Sequence, residues 1–78
     1  KDLKKAVHYI KSSAKNGNVD AQQNLATMYE EGVGPNGKSL PNIKKDYKKA
    51  LKWYSYAAKQ GSALAKKDGL KVYNRIRG

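Results

Sequence analysis

The chain contains no cysteine, which excludes a disulfide framework, a thiolate metal site and a cysteine nucleophile, and leaves the redox compartment open. It has no phenylalanine, and Leu, Ile and Val together supply only 13 of its 78 residues. No apolar run approaches the roughly 20 residues that span a bilayer. The chain opens on Lys1 without a signal-like apolar segment, so targeting information is expected to be absent or to lie outside this stretch. Acids are scarce too: six Asp and Glu face 17 Lys and Arg, a net charge of +11. Few strong hydrophobes and a high net charge are the compositional mark of disorder. Seventy-eight residues are also close to the lower limit for one core, so this is one domain or a piece of one.

What is present overturns that mark only if it is ordered. Nine Ala, six Tyr and one Trp must do the work of a core, and they recur in register. Shifted by 44 positions, Lys1-Asp2, Lys4-Lys5-Ala6, Ala14-Lys15, Gly17, Ala21, Tyr29 and Gly34 return as Lys45-Asp46, Lys48-Lys49-Ala50, Ala58-Lys59, Gly61, Ala65, Tyr73 and Gly78. That is 11 identities over 34 overlapping positions, with Tyr9 opposite Trp53 and Val7 opposite Leu51. A period of 20–50 residues indicates stacked repeats, in which each unit buries its apolar face only against the next.

Each unit reads as two helices. Tyr47, Ala50, Leu51, Tyr54, Ala57 and Ala58 fall on one helical face, and Leu3, Ala6, Val7, Ile10, Ser13 and Ala14 repeat the pattern. Asp2 and Asp46 suit the start of these helices, Gly17 and Gly61 their end. Asn18 and Ser62 then cap a second helix, which in the first copy carries Ala21, Leu25, Met28 and Tyr29 and stops at Gly32. Both prolines and three glycines make 32–42 a loop. The last helix, from Ser62 to about Ile76, meets Asp68-Gly69 midway, and a turn there with an extended Leu70–Tyr73 is the alternative. The expectation is an all-α superhelix of four antiparallel helices in the order B, A, loop, B, A. Residues 1–17 form the second half of a repeat, 18–61 a full repeat and 62–78 the first half of another.

Ala21, Leu25, Tyr29, Gly32 and Gly34, followed by Asp46, Lys49, Ala50, Trp53, Tyr54, Ala57, Ala58 and Gly61, stand at spacings that resemble a Sel1-like repeat, a relative of the tetratricopeptide repeats. That resemblance implies a right-handed α-solenoid acting as a non-catalytic protein–protein scaffold or adaptor without a cofactor. The A-helices would line the concave face where partners bind. Its exposed positions are then Gln22, Gln23, Thr27, Glu30 and Glu31 on the first A-helix, and Lys66, Lys67, Lys71, Asn74 and Arg75 on the second. A strip running from acidic to basic suits an extended peptide of opposite polarity, with Gln23, Thr27, Glu30, Glu31, Lys67, Lys71 and Arg75 as contacts.

A second surface competes with it. Lys44, Lys48, Lys52 and Lys59 form one stripe opposite the apolar face, and Lys4, His8, Lys11 and Lys15 repeat it. Solvated charge explains such a stripe, and so does docking of an acidic protein, an acidic membrane surface or nucleic acid through Lys4, Lys11, Lys44, Lys48, Lys52 and Lys59. Nucleic acid is the less favoured of these, because the aromatics needed for stacking are spent on the core. His8 occupies the stripe position of Lys52 and is expected in solvent, while Tyr56 is a candidate anchor beside the core residues Trp53 and Tyr54. Gly32 to Ser39 (GVGPNGKS) spells a phosphate-loop string, but a helix precedes it and Leu40-Pro41 follows, where a strand and a helix are required. The half-repeats at either end leave apolar faces open, so end-to-end self-association is expected.

Overall fold

Local capping chemistry sets the helix starts. In the computed structural model, which describes residues 3–41 and 43–78, the Asn18 side-chain oxygen accepts from the Ala21 amide at 2.9 Å. Asp46 accepts from the Lys49 amide and Ser62 from the Ala65 amide, both at 3.1 Å. Each bond satisfies one of the amides that a helix N-terminus leaves unpaired. The helices that follow are α2 (Val19–Glu31), α3 (Tyr47–Lys59) and α4 (Ala63–Arg77), preceded by α1 (Leu3–Lys15). Gly17 and Gly61 take φ of +95° and +101° at the two equivalent turns, a conformation that favours glycine. Lys1, Asp2 and Asn42 lie outside the described residues, and with them the expected cap of the first helix and the last residue of the expected loop.

The fold is all-α, a short α-solenoid in which α1 packs on α2, α2 on α3 and α3 on α4. Among the described residues there is no strand, only one isolated bridge between Leu40 and Ile43 in the α2–α3 connection. Two layers of helix account for a body of 34 × 27 × 15 Å, given interaxial distances of about 8–10 Å. The core is made by small residues facing a few large ones. One cluster holds Val7, Ala14, Ala21, Leu25, Met28 and Ile43, and the other Ala26, Ala50, Tyr54, Ala57, Ala65 and Val72. Tyr29 and Trp53, partly buried, pack against both and join them. Ile43 had no place in the periodic pattern, yet its side chain is only 4% exposed and anchors the connection to the core.

Helix α4 runs unbroken through Asp68-Gly69, so the extended Leu70–Tyr73 alternative is not adopted. Packing explains the glycine. A Cβ built at Gly69 would stand 3.3 Å from the Tyr54 Cβ, closer than ordinary van der Waals contact. A mid-helix glycine costs about 1 kcal/mol of helix propensity, and here it admits a buried tyrosine between α3 and α4. Gly69→Val is therefore expected to destabilise the chain by about 1–3 kcal/mol through overpacking, read as a fall in thermal midpoint by circular dichroism. An unchanged or raised midpoint would contradict the close α3–α4 approach.

Candidate partner-binding surfaces

The repeat places the expected concave residues in pairs: Gln23, Thr27 and Glu31 of α2 stand 44 positions before Lys67, Lys71 and Arg75 of α4. Glu31, Lys67, Lys71 and Arg75 are exposed as expected. Gln23, Thr27 and Glu30 are not free surface; they are half-buried and hydrogen-bonded within the fold. Gln22 departs furthest from expectation, at 4% exposure. Its side-chain amide donates to the Ala14 carbonyl at 3.0 Å and its oxygen accepts from Gln60 at 3.0 Å, tying α2 to α1 and to the end of α3. The Ser62 hydroxyl donates to the Gln23 side-chain oxygen, a second polar clamp at the same end. A buried polar group satisfied on both sides is structural, and helical spacing alone had placed both glutamines outside.

Tyr54 organises the other end of this strip. Its ring is buried between α2, α3 and α4, and its hydroxyl donates to Glu30 Oε1 at 2.9 Å. Thr27 Oγ1 lies 2.8 Å from the same hydroxyl and 3.0 Å from the Gln23 carbonyl oxygen. Each hydroxyl has one proton; with the phenol proton on Glu30, the single Thr27 proton is shared between the Gln23 carbonyl and the phenol oxygen. Burial pushes the Tyr54 phenol well above its ordinary value of 10.0, Thr27 opposes the shift, and the Glu30 carboxylate adds to it. Across the strip Arg75 donates to the Tyr47 hydroxyl at 3.5 Å, which holds that phenol below its ordinary value and raises Arg75.

On the other side, Lys4, Lys44, Lys48, Lys52, Lys59 and His8 are exposed, and Lys11 is half-buried. Lys52 lies 5.7 Å from the Trp53 ring and borders a groove of about 350 Å³ between α1 and α3, with Lys15, Tyr56 and the floor residue Gln22. Tyr56, 41% exposed, meets Trp53 edge-on at 5.4 Å there. Lys4 borders an apolar hollow of about 440 Å³ with Leu3, Val7, Leu40 and Pro41. Lys11 and Lys44 line a third cavity together with Lys45 and Lys49, two lysines outside the expected stripe.

The glycine-rich string of the connection closes on itself. The Gly34 amide donates to the Lys38 carbonyl at 2.8 Å, the Gly37 amide to Gly34 at 2.9 Å, and the Lys38 amide to the Asn36 side chain at 3.1 Å. Helix α2 precedes it and bridge residue Leu40 follows, so its amides are not aimed by a helix N-terminus at a phosphate.

The profile of the Sel1 repeat family matches residues 1–18 and 19–62. A sel1-like repeat-containing protein of Acanthamoeba polyphaga mimivirus is 37% identical over 76 residues, which is 96% of this chain and 13% of that protein. The chain thus spans about an eighth of the length of the curated relative it matches. No solved structure gives a significant match.

Tyr54→Phe removes the hydroxyl shared by Thr27 and Glu30 and is expected to lower stability by about 1 kcal/mol at neutral pH. The raised phenol adds stability that is fully present below the unfolded value near 10.0 and is lost as pH climbs towards the folded value. The gap between wild type and Tyr54→Phe should therefore shrink above about pH 10 in chemical denaturation. A gap constant to the highest accessible pH would show that the hydroxyl does not anchor this network.

Proposed function

The chain belongs to the Sel1 repeat family, and on that premise we propose that it is a non-catalytic interaction scaffold that holds a partner peptide or protein along its A-helices. Sel1 repeats generally mediate protein–protein contacts. In this reading residues 1–17, 18–61 and 62–78 are a half, a whole and a half repeat. The observation that carries the binding face is the charge change between two equivalent helices: Asp20, Glu30 and Glu31 on α2 give way to Lys67, Lys71 and Arg75 on α4. Oppositely charged strips side by side favour a segment with complementary blocks and set its register. Since Gln23, Thr27 and Glu30 are tied to α3 and α4, they serve as a firm floor, and the contacts fall to Glu31, Lys67, Lys71 and Arg75. Tyr9 on α1 and Leu70 and Tyr73 on α4, all exposed, support end-to-end association of copies as a secondary property.

An anionic partner on the B-helix side is the second reading, supported by the exposed lysines of α3 and the net charge of +11. Ionic strength separates the two, because binding driven by counterion release weakens steeply between about 50 and 200 mM salt.

A peptide library panned against the chain is expected to yield ligands combining a basic and an acidic block. Glu31→Lys and Lys71→Glu should each weaken them about tenfold, equivalent to about 1.4 kcal/mol. Lys48→Glu/Lys52→Glu, on the other side, should leave them within about twofold. Ligands indifferent to the first two variants and lost with the third would move the binding face to the B-helices.

A further inference from the structure

Four lysines, Lys11 distant in sequence from the other three, surround one concavity. Lys11 comes from α1, Lys44 and Lys45 from the α2–α3 connection and Lys49 from α3, and with Tyr29, Pro41 and Asp46 they line a cavity of about 410 Å³. One acidic residue lines the cavity beside the four lysines: Asp46, whose Oδ1 accepts the Lys49 amide to cap α3. Among the described residues no ion pair joins any of the four lysines to an acid. The Lys49 ammonium lies 5.3 Å from the Tyr29 ring and that of Lys45 lies 5.8 Å from the Tyr47 ring. Aromatic faces partly compensate these charges without neutralising them.

The arrangement is held, not merely crowded. Ile43 is buried in the core, its amide donates to Leu40 at 3.2 Å, and the Asp46 amide donates to the Tyr29 carbonyl at 2.8 Å. Lys44 and Lys45 thus sit between two fixed points. The end of α2 is pressed against the same segment: at Gly32, with φ +69°, an added Cβ would stand 3.1 Å from the Lys45 amide nitrogen. A backbone fixed on both sides has little conformational freedom left to lose on binding. Cations held together around a concavity repel one another until an anion enters, which is the electrostatic condition for a binding site.

The geometry points to a site for the phosphate groups of a multiply phosphorylated small ligand, such as a diphosphate or a phosphorylated polyol, free or as a lipid headgroup. Lysine ammoniums are compact charges with three donors each, and they fit the oxygens of clustered phosphates better than the flat edge of a carboxylate, which prefers a guanidinium fork. The volume lies in the range of about 300–1,000 Å³ typical of small-ligand sites, and Tyr29 and Pro41 supply an apolar wall for the rest of the ester. Lys48 and Lys52 of α3 do not line this cavity, so the site shares only Lys11 and Lys44 with the basic stripes and includes no residue of the concave strip.

Titration of the whole chain with inorganic pyrophosphate, followed by calorimetry and amide NMR, tests it. One site is expected, with shifts concentrated at Tyr29 and Lys44 to Lys49. Lys11→Gln/Lys44→Gln should weaken binding about tenfold or more, while Lys38→Gln/Arg77→Gln, which removes the same charge away from the cavity, should change it less than about twofold. Thermal midpoints without ligand establish that both variants fold. Phosphatidylcholine vesicles carrying phosphatidylinositol bisphosphate, compared with phosphatidylserine at equal surface charge, distinguish the sources. Preference for the bisphosphate that disappears in Lys11→Gln/Lys44→Gln assigns a headgroup; pyrophosphate binding without vesicle preference assigns a free ligand. Equal weakening by both double variants, several equivalent sites, no binding, or shifts spread over α4 would overturn the proposal.

Discussion

The close approach of helix backbones around Tyr54 is the constraint on which the rest of this structure depends. With so few branched aliphatics and no phenylalanine, the chain cannot build a thick core. It brings helices together over alanine and glycine, at Ala26, Ala50, Ala57, Ala65 and Gly69, and places one large ring in the space between them. An aromatic side chain removes on the order of 150–250 Å² from water, so a few of them replace many aliphatics. The hydroxyl of the same ring gathers Thr27 and Glu30, which couples the packing of α3 to α2.

Charge is the second organising quantity. Seventeen basic side chains on a chain this small repel one another, while three of the six acids, Asp20, Glu30 and Glu31, share α2. No lysine stands between Lys15 and Lys38. The A-helix side therefore carries both signs and the B-helix side almost only one. Partner discrimination in a scaffold rests on such asymmetry, because complementary charges set register and like charges exclude wrong partners.

In the proposed anion site the α2–α3 connection is more than a spacer. Its glycine-rich half folds back on its own carbonyls, and its second half is nailed down by Ile43 and by the bond from Asp46 to Tyr29. Loops carry function when a rigid scaffold positions them, and here the scaffold holds Lys44 and Lys45 opposite Lys11. Gly32 contributes by lacking a side chain where Lys45 passes.

The amino-acid sequence by itself determined what depends on neighbours along the chain. Asn18, Asp46 and Ser62 as caps, the apolar stripes, the 44-residue echo and the alternation of B and A helices all follow from spacing within about four residues or from the repeat itself. His8 in solvent and Tyr54 in the core were legible in the same way. Only the tertiary structure decided which polar side chains are consumed internally and which charges meet. Gln22 is buried because Ala14 and Gln60 close over it, Gly69 is helical because Tyr54 leans on it, and Lys11 joins Lys44, Lys45 and Lys49 because Ile43 draws the connection inward. Periodicity gives the angle of a side chain about its own helix axis, whereas burial and electrostatic company depend on where the adjoining helix and the connecting segment come to rest.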